Sequence, residues 1–173
     1  TLTGAQERVW ENIQQTLTDN KLVFQLIQGD VGSGKTDIAI LSLLAAVGAG
    51  YKGALLVPTE ILAQQHFYKC QERCQALGVT IVLLKGKMKV SERKAAIAQL
   101  SGPEPLIVVG THAIIQDTIS ISQLGFVVID EQHRFGVFQR QVLLDKSVEA
   151  SSTKETPHCL FMTATPIPRT LML

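Results

Sequence analysis

Six short apolar runs set the frame for this chain: LVFQLIQ (22–28), GALLVP (53–58), VTIVLL (79–84), PLIVVG (105–110), FVVID (126–130) and HCLFMT (158–163). Each is nearly continuous in apolar residues, as a strand must be when both faces of its sheet are covered. The stretches between them, at 4–18, 35–49, 60–77, 91–100 and about 133–146, fit helices. Ser91, followed by Glu92, Arg93 and Lys94, reads as the N-cap of an amphipathic helix. Strands alternating with helices require right-handed crossovers, so the expected fold is α/β: three layers around a mostly parallel central sheet.

Sheets of this kind gather ligands at the carboxyl ends of their strands. Five polar segments directly follow strand candidates: QGDVGSGKT, PTE, GTH, DEQH and TATP. They are expected to share one rim. The segment SVEASSTKETP, 147–157, is polar enough to be a surface loop, and the sequence has no internal repeat.

The bulk properties agree with one compact unit. In 173 residues, 46% are hydrophobic and 18% charged, and the mean hydropathy is +0.20. That is enough apolar surface for a core without disulfides or metal, and it argues against disorder. The net charge of +1 gives no global field for nucleic acid, so any such partner must be held by local sites. The longest apolar stretch, Ile38 to Gly50, is too short and too rich in small residues to span a bilayer, and no membrane partner is expected. Thr1 in place of an initiator Met, and a last residue only a few positions past Pro168, point to a piece of a longer protein.

Three cysteines cannot pair evenly, which fits the reducing cytosol and a cytoplasmic protein. His66, Cys70 and Cys74 fall at i, i+4 and i+8 of a predicted helix. Eight residues of helix rise separate the outer two by about 12 Å. A zinc ion needs every ligand within about 2.3 Å, so these three read as ordinary half-buried side chains.

The segment GDVGSGKT, Gly29 to Thr36, fits G-x-x-x-x-G-K-[ST] between a strand and a helix, the setting this motif requires. Gly29, Gly32 and Gly34 let the backbone turn its N–H groups inward, with Asp30, Val31 and Ser33 supplying the rest of the loop. The helix that follows adds a positive N-terminus, Lys35 a point charge for the outer phosphates, and the Thr36 hydroxyl a ligand for Mg²⁺. A nucleoside triphosphate is the expected cofactor, and the fold narrows to a P-loop NTPase.

Such a loop needs a carboxylate near the metal at the end of a neighbouring strand, and Asp130 fits that place. Its expected role is to hold Mg²⁺ through water, because this ion dehydrates reluctantly. Glu131 points elsewhere as the strand ends and is the candidate to deprotonate the attacking water. The minor alternative is that the two acids are simply a helix N-cap and its first-turn partner, a reading the loop weakens further.

Taken in order, GDVGSGKT, PTEILAQQH, GTHAIIQ, DEQHRFGV and MTATPIPRT resemble the motifs of superfamily 2 helicases. The likeness is strongest to the RecG family of ATP-dependent DNA branch-migration helicases and runs from LTGAQ to PIPRT, essentially the whole chain. It implies a single N-terminal RecA-like motor lobe over 1–173, cut from a multidomain protein. By the same resemblance Gln6 reads the adenine edge, although alone it would be an ordinary helix-surface residue. Gln132 and His133 match the letters that connect the γ-phosphate to the next motif. Thr163, Ala164 and Thr165 match that motif, which couples hydrolysis to DNA contact.

Thr59 and Glu60, with Gly110, Thr111 and His112, match rim segments that in the family face the DNA backbone. Such contacts hold phosphate without reading sequence. Lys87, within KGKMK (85–89), lies on the same rim; its alternative is a solvated turn. The implied partners are branched duplex DNA, a second helicase lobe with its arginine finger, and a wedge domain.

Two residues depart from the family pattern: Lys85 stands where threonine is usual, and Asp37 replaces an apolar residue beside the metal ligand. The role of Arg169, in PIPRT, stays open. Transcription-repair coupling translocases share much of the pattern, and a nucleotide-dependent module that never hydrolyses is the reading from another class. Accessory domains distinguish the first, and Glu131 argues against the second.

Overall fold

The structure, a computed structural model, describes residues 2–30, 32–115, 119–130, 145 and 156–164, the side chains of 112 and 115 excepted. Four helices, α1 (Gly4–Thr18), α2 (Lys35–Gly48), α3 (Glu60–Cys74) and α4 (Val90–Ser101), alternate with strands in this region. The strands are β1 (Phe24–Gln28), β2 (Lys52–Leu56), β3 (Ile81–Leu84), β4 (Ile107–Gly110), β5 (Leu124–Asp130) and β6 (His158–Thr163). They form one sheet in the order β1-β6-β5-β2-β4-β3, and every pairing is parallel. The predicted helix at about 133–146, apart from the helical Asp145, and most of the loop at 147–157 lie outside the described residues.

The three layers follow from the apolar runs. Successive residues of a strand point to opposite faces, so a run without polar interruptions feeds two cores. In β5, Phe126 and Val128 join a cluster with Ile13 of α1, Ile38 and Leu43 of α2 and Ala63 of α3. Val127 and Ile129 join the cluster on the other face, with Ala96 and Leu100 of α4. Each fully buried aliphatic side chain contributes about 1.5–3 kcal/mol, so the sheet is held by both cores together.

Two predicted boundaries move. The helix expected to start behind a Ser91 cap begins at Val90, with Lys89 as an extended N-cap that makes no side-chain bond, which puts Ser91 inside the first turn. The helix expected over 60–77 ends at Cys74 and tightens into a 3-10 turn, Gln75–Leu77, stopped by Gly78 in a left-handed conformation (φ 65°).

Lys52 opens β2 fully buried, at the rim opposite the polar segments. Its ammonium donates to Gly102 O (2.6 Å) and Ser122 Oγ (2.9 Å), and Ser122 Oγ itself donates to Gly102 O at 2.6 Å. This closes the carboxyl end of α4, whose last carbonyls have no helical donors. Burial lowers the Lys52 pKa from 10.5, against the attraction of Glu104.

No described helix is long and apolar enough to cross a membrane. Cys70, Cys74 and Cys159 are free and buried, and the described residues contain no cluster of three His, Cys, Asp or Glu that could hold a metal.

Candidate nucleotide site and its rim

The strand order makes β1, β6 and β5 neighbours, so the segments at their carboxyl ends converge. The Gly29 N–H donates to Thr163 O (3.2 Å), linking the first loop glycine to the end of β6. Asp130 ends β5, in register with Met162.

The loop has the shape its glycines require. Gly32 and Gly34 are left-handed, with φ 85° and 79°. A Cβ on Gly34 would lie 1.7 Å from Gln6 Nε2, and one on Gly29 would lie 2.8 Å from Ser33 Oγ. Gly34 is also the N-cap of α2 and offers no side-chain bond, so the helix meets the loop with its N-terminal dipole free of a protein cap. The Lys35 ammonium donates to Gly29 O, to Asp30 O at 2.8 Å and to Ser33 Oγ at 3.4 Å. Val31 lies outside the described residues.

Gln6 lies against this loop. Its Nε2 donates to Ser33 O (2.9 Å), while its Oε1 accepts from the Thr3 N–H (2.7 Å) and the Gln6 N–H donates to Thr3 Oγ1 (3.4 Å). The side chain therefore closes a capping box at the start of α1 and ties that helix to the loop.

Thr36, the second residue of α2, and Asp130 supply a hydroxyl and a carboxylate, hard oxygen donors of the kind Mg²⁺ prefers. Two protein oxygens suit an ion that keeps several waters and takes the rest of its shell from phosphates. Glu131, Gln132, His133 and Thr165 lie outside the described residues; Ala164 is half-buried just beyond β6.

His66 Nε2 lies 3.2 Å from Asp130 Oδ2, with the two side chains 12% and 14% exposed. Sequence reasoning weighed His66 only against a zinc site and missed this pairing. The signal was present: β2 pairs with β5, and α3 starts just after β2, so the second turn of α3 falls near the end of β5. Asp37, the acid that departs from the family pattern, faces two cations of the same helix, Arg73 Nη2 at 3.3 Å and Lys69 Nζ at 3.8 Å.

The remaining rim residues have local work. Thr59 caps α3 through the Leu62 N–H (3.3 Å). Glu60 Oε1 accepts from the Lys87 N–H (3.0 Å), and Lys85 O accepts from Arg93 Nη1 (3.3 Å), which shapes the 85–89 turn and leaves Lys87 and Lys89 exposed. A Cβ on Gly110 would meet Leu84 O at 2.1 Å. Thr111 is buried; its N–H donates to Leu84 O (3.3 Å), and its Oγ1 accepts from the Ala113 N–H (3.4 Å). The His112 backbone opens a 3-10 turn, His112–Ile115.

Comparison with known proteins accords with this arrangement. Residues 3–173 match the family model described as DEAD/DEAH box helicase. The chain is 49% identical over 172 residues to the ATP-dependent DNA helicase RecG of Aquifex aeolicus, covering 99% of this chain and 21% of that protein. It is 46% identical over 172 residues to the ATP-dependent DNA helicase RecG of Bacillus subtilis, with 99% and 24% covered.

Among solved structures, RecG bound to a three-way DNA junction superposes with a TM-score of 0.82 at 37% identity, over 99% of this chain and 22% of that one. The yeast DEAD-box splicing factor Prp28 shares the fold, with a TM-score of 0.71 at 20% identity over 90% of this chain and 39% of that one. The chain thus spans roughly a fifth to a quarter of the curated relatives it matches. A phosphate loop, a strand-end aspartate and an all-parallel sheet, joined to a family match over nearly every residue, place the chain in the DEAD/DEAH box helicase family, with RecG helicases as relatives along its whole length.

Proposed function

We propose that this chain is the ATP-binding motor lobe of a RecG-like enzyme that hydrolyses ATP to translocate on duplex DNA and remodel forks and Holliday junctions. The convergence of the Gly29–Thr36 loop, Asp130 and Thr163 on adjacent strand ends carries this reading. The loop's N–H groups and the N-terminus of α2 bind the phosphates. Lys35 exchanges its loop carbonyls for the outer phosphate oxygens. Thr36 and Asp130 would hold Mg²⁺, which would supply positive charge to neutralise the transferred phosphoryl group.

Glu131 takes the proton of the attacking water, and Gln132 and His133 relay the nucleotide state towards Thr163, Ala164 and Thr165. Gln6 steadies the loop from the side where adenine is read. The DNA-facing surface is the rim that carries Thr59, Glu60, Lys87 and the 110–112 turn, with the exposed lysines gripping the backbone. A second lobe that supplies an arginine finger, and a wedge domain, complete the machine, and opening and closing of the lobes around ATP drives each step. Free buried thiols fit a cytoplasmic setting.

Phosphate release by the full-length protein, with and without branched DNA, tests the proposal. Glu131→Gln is expected to bind ATP normally and to lose turnover; loss of binding instead would remove the general-base role. The 173 residues alone are expected to bind nucleotide weakly and to hydrolyse it poorly. Robust DNA-stimulated turnover by this piece, unaffected by Lys35→Ala, would overturn the assignment.

A further inference from the structure

We infer that His66 is a positioning residue for the metal site: through its 3.2 Å Nε2–Oδ2 contact it holds Asp130 in the rotamer from which the carboxylate would reach Mg²⁺. The inference rests on the reading of Asp130 as the Mg²⁺ residue, and it gives a role to His66, the last residue of the PTEILAQQH segment, to which the resemblance assigned none.

Asp130 is the last residue of β5, at the carboxyl end of the strand and on the rim that carries the phosphate loop. At 14% exposure its carboxylate is largely cut off from bulk water, and His66 Nε2, 3.2 Å from Oδ2, stands within reach of a hydrogen bond to it. A carboxylate has about four lone-pair sites, so the bond to His66 leaves acceptor capacity for water on the metal. Groups that hydrogen-bond to a metal ligand in this way orient it, and their loss lowers metal affinity or activity by about 10- to 100-fold.

The helix that presents His66 is itself fixed at three points. Thr59 caps its start, Glu60 binds the Lys87 N–H, and Lys69 and Arg73 face Asp37, the residue after Thr36. Cys70, one turn beyond His66, is fully buried, so this part of the helix is seated on the sheet and cannot roll without opening the core. One rigid element therefore reaches Asp130 through His66 and the start of α2 through Lys69 and Arg73, the two places from which the metal's protein oxygens come.

The test is equilibrium binding of a fluorescent ATP analogue to the full-length protein, in EDTA and across a Mg²⁺ titration. His66→Ala is expected to raise the Mg²⁺ concentration at half-maximal Mg²⁺-dependent binding by about tenfold or more, while binding in EDTA stays as in the wild type. His66→Leu, which fills the space without a donor, should behave like the alanine variant. His66→Gln, whose amide N–H can reach the same oxygen, should restore the wild-type midpoint.

A Mg²⁺ midpoint unmoved in both the alanine and leucine variants overturns the inference. So does an equal loss of binding with and without Mg²⁺ that glutamine does not rescue, since that marks a purely structural tie. Asp130→Ala separates the two levels. If it abolishes the Mg²⁺-dependent component while the His66 variants leave the midpoint unmoved, the positioning role alone fails; if it leaves that component intact, the metal assignment fails and the positioning role with it.

Discussion

Two lysines donate to backbone carbonyls at opposite ends of the same sheet. Lys35, after β1, reaches Gly29 O, Asp30 O and Ser33 Oγ; Lys52, at the start of β2, reaches Gly102 O and Ser122 Oγ. The donors are alike and the bonds similar in number. What separates them is access: Lys35 is half-buried beside a helix N-terminus, whereas Lys52 is fully enclosed. An ammonium that water or phosphate can approach can trade acceptors, and one sealed in the fold cannot. The first lysine can therefore serve chemistry while the second serves only the fold.

The sharpest way to break this contrast is to remove each amine in turn. Lys35→Ala in the full-length protein is expected to cut ATP turnover by about 10²- to 10³-fold, the usual loss for one electrostatic donor, with the thermal midpoint nearly unchanged. A large fall in stability would mean that Lys35 is as structural as Lys52. Lys52→Ala leaves a cavity and takes one of two donors from Gly102 O, and should cost about 3 kcal/mol by denaturant titration with nucleotide affinity intact. Lys52→Met, which keeps the volume and loses the donor, should cost about 1–2 kcal/mol.

A buried thiol extends the comparison to pH. Desolvation first, then the neighbouring Cys74, pushes the Cys70 thiol up from 9.0 to about 12, against Lys69. The unfolded chain thus releases this proton near pH 9 while the folded one holds it, so the thiol's contribution is complete below pH 9 and is lost as pH rises from 9 towards 12. The stability advantage of the wild type over Cys70→Ala should shrink by about 1 kcal/mol between pH 8 and pH 10. The smallest effect is expected at Gln6. Gln6→Ala removes half of a capping box and the bond to Ser33 O, and should lower stability by about 0.5 kcal/mol, with a measurable rise in the Kd for ATP.

Much of the architecture was legible because its causes are local. Continuous apolar runs require a sheet covered twice, and a glycine-rich loop between such a run and a helix leaves few alternatives. Asp130 was legible for the same reason, as an acid closing an oily strand. The contacts that refine the site were not, because each joins elements distant in the chain. His66 with Asp130, Asp37 with Arg73 and Glu60 with Lys87 are set by how α3 lies across the sheet, which no window of sequence records. Lys52 is the plainest case: a charged residue beside an apolar run reads as the end of burial, and the predicted strand began one residue later, yet the acceptors that allow it inside come from residues 102 and 122.

The bond from the Gly29 amide to the Thr163 carbonyl joins the phosphate loop to β6 through main-chain atoms on both sides. Mutation can change every side chain around it and leave donor and acceptor in place, proline at position 29 excepted. This link between the nucleotide's cradle and the strand leading to TATP is therefore inherited with the backbone path itself, and sequences can diverge widely around it without dissolving it.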